Sequence, residues 1–171
     1  MVTIKKSLNE WNATIEALGH GMQTILIRKY GTTLDSFLLN PTVSYTLQNN
    51  YLENFQKKYQ PFVEKNSHPK KEDNKREIKY YAKVDKIVNK SYHRIAGLNK
   101  YHIWTNSHVK SYIGSDNPKI WILRVYKLKE PVMAQHGGGQ TYVNLTKPVS
   151  LEGIQPVLSD SEFNKIKNAI I

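Results

Sequence analysis

Leu8, Trp11, Ile15 and Leu18 recur at helical spacing, and Ser7-Leu8-Asn9-Glu10 has the form of a capping box, so the pattern predicts a helix over 8–18. Gly19 and Gly21 follow as residues able to end it in the left-handed conformation. Two strands are expected next, Gln23–Lys29 and Leu34–Leu39, joined near Gly31, with Asn40-Pro41 closing the second because proline cannot continue a ladder. Leu52, Phe55 and Tyr59 make a second helical stripe, stopped by Pro61. Residues 66–74 have no periodicity, and a lysine-rich mobile loop is expected around 65–76.

Period-two alternation returns at Ile78–Val88, with Ile78, Tyr80, Ala82 and Val84 inward and Lys79, Tyr81, Lys83 and Asp85 outward. Ile120–Leu128 is apolar on both faces and reads as a central strand. Thr141–Leu145 adds another. Thr105 is placed to cap a short helix over 106–112. Ser159-Asp160-Ser161-Glu162 is a second capping box, opening a helix with Phe163, Ile166 and Ile170 on one side. This order predicts one α+β domain over 1–171, a small, largely antiparallel β-barrel with helices at its ends.

A chain of 171 residues can bury a core unaided, and without cysteine it has no disulfide, thiol nucleophile or cysteine–zinc site. No apolar run spans a bilayer and no signal peptide is visible, so a cytoplasmic location without membrane contact is expected. The charge changes the picture more. The formal net charge is +11, and residues 57–100 hold 13 Lys/Arg against 5 Asp/Glu. Such a balance favours polyanions through counterion release, which makes nucleic acid, RNA or DNA, the expected partner.

Candidate chemistry concentrates in Gly21-Met22-Gln23-Thr24-Ile25-Leu26-Ile27-Arg28-Lys29, where polar side chains cluster at an element junction. Gln23 and Thr24 would reach a base edge, Arg28 and Lys29 a phosphate. Asn40 and Thr42, at the Asn-Pro turn, carry further donors and acceptors, although an ordinary turn uses the same residues. His102, Trp104 and Thr105 precede a helix N-terminus, where Trp104 either stacks on a base or belongs to the core. An enzyme reading stays open, with Thr24, Lys29 and Glu16 as hydrolytic residues. So does metal-dependent cleavage by Glu77 and Lys79, with Asp73 or Asp35 upstream. A third reading is a protein-interaction domain using the closing helix. The histidine spacing offers no metal site, and no cofactor is expected. His136-Gly137-Gly138-Gly139 reads as a hairpin connection, since no G-x-S-x-G elbow accompanies it.

The set Glu10-Trp11, Glu16-Ala17-Leu18, Gly21-x-Gln23-Thr24-x-Leu26-x-Arg28-Lys29, Phe37-Leu38-Leu39-x-Pro41-Thr42, His102-x-Trp104-Thr105 and Leu123-Arg124-Val125-Tyr126 resembles a prokaryotic family catalogued as a domain of unknown function. The match spans Trp11 to Phe163, departing at Asn40, where an aromatic is expected, and in the lysine-rich loop. More distantly, the opening is similar to the PUA-like superfamily, which includes ASCH, EVE and YTH domains. That similarity implies a small barrel binding RNA or DNA, often modified bases, on a concave face. Some ASCH proteins are instead amidohydrolases with a Lys, Thr and Glu. Here Gln23 stands at the Lys position, which favours binding over hydrolysis.

Overall fold

In the computed structural model, which describes residues 2–171, the chain opens on a strand instead of a helix. β1 (Thr3–Trp11) runs directly into α1 (Asn12–Gly19). Residues 7–11 pair in parallel with 38–42, and residues 3–8 pair antiparallel with residues 142–150. Ladder bonds on both flanks outweigh a capping box, whose local hydrogen bonds contribute about 1 kcal/mol. The Ser7 hydroxyl is buried without a partner, and the Glu10 carboxylate turns to Arg28.

β2 (Ile25–Arg28) and β3 (Ser36–Thr42) lie near their expected places, but β3 continues through Asn40-Pro41. The Pro41 carbonyl accepts from the Arg76 guanidinium, so this residue's main-chain polar edge faces away from β1. On that side the ladder to the next strand has ended at Leu38, and the missing N–H forfeits no strand bond. The Leu52–Tyr59 stripe is not one helix. It is a series of 3₁₀ turns (Ser44–Leu47, Tyr51–Asn54, Lys57–Tyr59) leading into α2 (Gln60–Lys65). Pro61 sits in the first turn of α2, where an absent N–H is harmless, and so begins a helix instead of stopping one.

The stretch expected to be a lysine-rich mobile loop carries hydrogen bonds and a short hairpin. Ser67 is buried, and its carbonyl accepts from the Tyr45 hydroxyl at 2.8 Å. β4 (Lys71–Glu72) then forms a two-residue hairpin with β5 (Lys75–Asn89), turning at Asp73 in the left-handed region. A long 3₁₀ segment, Tyr92–Tyr101, leads to α3 (Asn106–Ile113), and β6 (Lys119–Ala134), β7 (Tyr142–Ser150), β8 (Gln155–Pro156) and α4 (Asp160–Ile170) complete the chain. α4 opens on the complete Ser159/Glu162 capping box, as the sequence predicts.

The strand order is β2-β6-β5-β3-β1-β7, and all neighbours except β1 and β3 run antiparallel. Just beyond β6, His136 bridges Leu145 of β7, supported by backbone bonds from Thr146 to Gln135 and from Gly137 to Asn144. These bonds bring the end of β6 beside β7, so that β6, β5, β3, β1 and β7 curl into an incomplete ring, a barrel-like arrangement of the expected α+β class. Leu38, Ile78, Tyr81, Leu128, Leu145 and Val149 form one apolar cluster drawn from four of the ring strands. Tyr81, expected to face outward, joins Ile78 there because the ladder slips between Ile78 and Tyr80. On β6 the slip takes up 128–131, which places Pro131 in an irregularity that tolerates it. A larger core packs α1, α3, α4 and the 3₁₀ turns against residues of β2, β6, β5, β3 and β1.

Ser7→Ala tests the displaced helix start. Removing an unpartnered buried hydroxyl should leave stability unchanged or raise it by up to about 1 kcal/mol. An N-cap serine would instead lose about 1 kcal/mol. Denaturant unfolding of the variant distinguishes the two.

Candidate functional site

The end of β1, the end of β2 and one face of α3 enclose a cavity of about 110 Å³, lined by Glu10, Trp11, Ile27, Arg28, Trp104, His108, Val109 and Tyr112. At roughly 10–15 Å³ for each water position, it has room for several waters. Its walls are aromatic. Trp11 stacks on Tyr45 at 4.9 Å between ring centroids and meets the His108 ring at 5.3 Å. Tyr112 is 37% exposed and lies at the edge, with the Lys29 ammonium 5.3 Å from its ring centre.

Trp104 is held in place by backbone pairing. Residues 103–105 lie against 54–56 through bonds from Gln56 N–H to the Ile103 carbonyl and from Thr105 N–H to the Asn54 carbonyl. The Gln56 amide nitrogen adds contacts to the carbonyls of Asn99, His102 and Trp104. From the other side, Gln23 Oε1 accepts from Ile103 N–H at 3.2 Å, while its Nε2 donates to the Ile25 carbonyl. Gln23 is thus buried and engaged in positioning, not free to meet a base edge. Thr105 caps α3, its hydroxyl accepting from His108 N–H at 3.0 Å, as expected. That cap places His108 and Tyr112, four residues apart, on the cavity side of the helix.

One ion pair crosses the cavity wall. Arg28 Nη2 donates to Glu10 Oε2 at 2.5 Å, Glu10 Oε1 accepts from Trp11 N–H at 2.9 Å, and Arg28 Nη1 reaches the Tyr30 hydroxyl. Burial opposes the guanidinium charge, but Glu10 together with Tyr30 and Tyr112 outweighs it, so the Arg28 pKa is raised. Arg28 is therefore a paired wall residue, not the exposed phosphate contact expected from its sequence position. Lys29 does keep an exposed ammonium, 3.9 Å from Asp116.

The other expected site residues lie elsewhere. Thr24 is buried beside Leu18, Leu123 and Phe163, with its backbone tied to Tyr101 and Leu123. Asn40 Nδ2 donates to Asn9 Oδ1 at 2.7 Å, and Thr42 Oγ1 donates to the Glu10 carbonyl at 3.1 Å, so both secure the β1–β3 pair. His102 is fully buried, its Nδ1 accepting from Trp104 N–H. Burial, and then His108 nearby, lower its pKa from 6.5 to about 4. Burial lowers the His108 pKa as well.

Thr24, Lys29 and Glu16 do not meet. Glu16 lies in a separate polar cleft, paired with Lys79 at 2.8 Å and accepting from the Tyr80 hydroxyl, with Glu77 and His68 also lining it. The carboxylate beside the Glu77-x-Lys79 pattern is thus Glu16, not Asp73 or Asp35. Among the described residues, no three His, Asp or Glu side chains group as a metal site. Glu10, Trp11, His108 and Tyr112 were not anticipated at the site. The readable signal for the last two was the Thr105 cap, which fixes the phase of the α3 face.

The family model for Domain of unknown function (DUF1802) matches residues 7–169. The chain belongs to this family. The DUF1802 chain is also similar to crystal structures of ASCH from Zymomonas mobilis. The first aligns at 11% identity and a TM-score of 0.46, over 95% of this chain and 93% of that one. A point mutant of that protein aligns at 9% identity and a TM-score of 0.46, over 98% and 99% of the two chains. No curated protein matches the DUF1802 sequence. None of its described helices is long and apolar enough to cross a membrane.

Arg28→Ala should cost about 3 kcal/mol of stability, because it leaves Glu10 mostly buried without its partner. Chemical denaturation measures this, and a change under 1 kcal/mol would place the pair with ordinary surface bridges. His102 gives a pH signature. Its folded pKa is depressed, so its contribution is complete above pH 6.5 and is lost as pH falls toward about 4. Unfolding free energy should decline across that window, and a His102→Gln variant should show a shallower slope.

Proposed function

We propose that the protein is a nucleic-acid-binding module that takes one unstacked base into the cavity between Trp11, Trp104 and Tyr112. The observation that supports this reading is an aromatic-walled recess whose outer edge bears an exposed lysine. Aromatic faces accept any base by stacking, and the ammonium of Lys29 offers a phosphate contact one step outside. A methyl group on the base would add apolar contact, so modified bases fall within the ligand range. The strongly positive chain supplies the attraction that brings a polyanion to this surface.

Two variants test the assignment without disturbing the core. Tyr112→Ala should weaken binding to single-stranded oligonucleotides by about 1–3 kcal/mol while leaving the melting temperature nearly unchanged. Lys29→Ala should weaken binding evenly across sequences and reduce the salt slope by about one unit. Wild-type affinity should itself drop by roughly 10³ between 50 and 200 mM salt if six or more phosphates are neutralised. Fluorescence anisotropy gives all three readings. An affinity insensitive to salt, or unaffected by Tyr112→Ala, overturns the proposal.

A further inference from the structure

The Glu10–Arg28 pair leaves capacity on both sides. A carboxylate offers about four lone-pair positions and a guanidinium five N–H donors. Glu10 is engaged by Trp11 N–H and by Arg28, and Arg28 by Glu10 and the Tyr30 hydroxyl. Both side chains line the cavity and retain exposure, 9% for Glu10 and 16% for Arg28. A ring lying against Trp11, Trp104 or Tyr112 therefore meets an acceptor and a donor side by side at its edge.

Resting on the base-pocket reading, we infer that this pair makes the cavity selective for guanine among the unmodified bases. Guanine carries two adjacent N–H donors, the ring imino and the exocyclic amino group, next to a carbonyl acceptor. The imino and amino groups match a carboxylate in bidentate fashion, and the carbonyl matches the guanidinium. Uracil places one donor between two carbonyls and can fill the carboxylate only once. Adenine and cytosine put a ring acceptor where guanine has its imino N–H, so one ring nitrogen would face the carboxylate with like polarity. A cationic N-methylated base is also disfavoured. The carboxylate that would balance it is already neutralised by Arg28.

The test uses the full chain and short oligonucleotides in which one base stands in an otherwise abasic strand, so that phosphate contacts stay constant. Guanine should bind tighter than adenine or cytosine by about 5- to 150-fold, the range of one good bidentate base contact. Hypoxanthine, which lacks the exocyclic amino group, should fall between them. Glu10→Gln retains size and polarity but loses the second acceptor, and should bring the bases to within about threefold of one another. Equal affinity for all bases in the wild type overturns the guanine assignment while leaving the pocket standing. Binding that requires no base, equal to a wholly abasic strand, removes the pocket reading and this inference with it. A Glu10→Gln variant that stays folded by circular dichroism and keeps the full preference overturns the role given to Glu10.

Discussion

Two opposite charges, Glu10 at the end of β1 and Arg28 at the end of β2, have been taken largely out of water and must stay together. Removing a carboxylate or a guanidinium from water costs several kcal/mol, which only close pairing and further hydrogen bonds offset. Here the further bonds come from Trp11 N–H and the Tyr30 hydroxyl, so the pair ties a ring strand to the extra strand that flanks β6. β1 and β2 are not ladder neighbours. The ion pair spans a gap that backbone hydrogen bonds leave open, and that gap is the cavity.

The aromatic layer over this gap depends on a second, less visible device. Residues 103–105 pair with 54–56, and two glutamines hold them further: the Gln56 amide donates to the His102 and Trp104 carbonyls, and Gln23 Oε1 accepts from Ile103 N–H while its Nε2 anchors to the Ile25 carbonyl. The Gln23 amide is buried with both ends matched, and a satisfied buried group of this kind rigidifies what it touches. Trp104 therefore has little freedom, while Tyr112, on the outer turn of α3 and partly in solvent, is the wall best able to adjust to a ligand. Rigid floor and movable rim is a division that suits capture of a flat ring.

How far the sequence revealed this arrangement can be judged from two capping boxes of the same form. Ser159-x-x-Glu162 opens a helix because its surroundings are exposed and nothing competes for Glu162. Ser7-x-x-Glu10 does not, because strands pair on both sides of it and Arg28 claims its glutamate. The local signal was identical, and partners distant in sequence decided the outcome. Pro41 and Pro61 carry the same lesson: a missing N–H matters only on an edge that is paired, and neither residue has one. The class of fold, the closing helix and the Thr105 cap were legible because each rests on short-range periodicity or capping. Glu10 and Trp11 on β1 meet His108 and Tyr112 on α3, nearly a hundred residues later in the chain, and no local pattern announces that meeting. Gln23, Asn40 and Thr42 looked like ligand contacts because a polar residue at a junction has the same appearance whether it faces solvent or locks two strands.

The charge count needs the same correction from three dimensions. Two of the cations between residues 57 and 100 are already engaged, Lys79 by Glu16 and Arg76 by the Pro41 carbonyl, and Asp85 in the same stretch is met by Lys167 from α4. Paired cations still add to the long-range field, which sums over the whole molecule and sets how fast a polyanion arrives. They do not each displace a counterion, which is what the salt dependence of affinity records. Lys29 belongs to neither the charged stretch nor a tight pair, yet it stands at the cavity edge. On the proposed nucleic-acid reading, attraction at a distance falls to the basic stretch and contact at the site to the rim of the aromatic cavity.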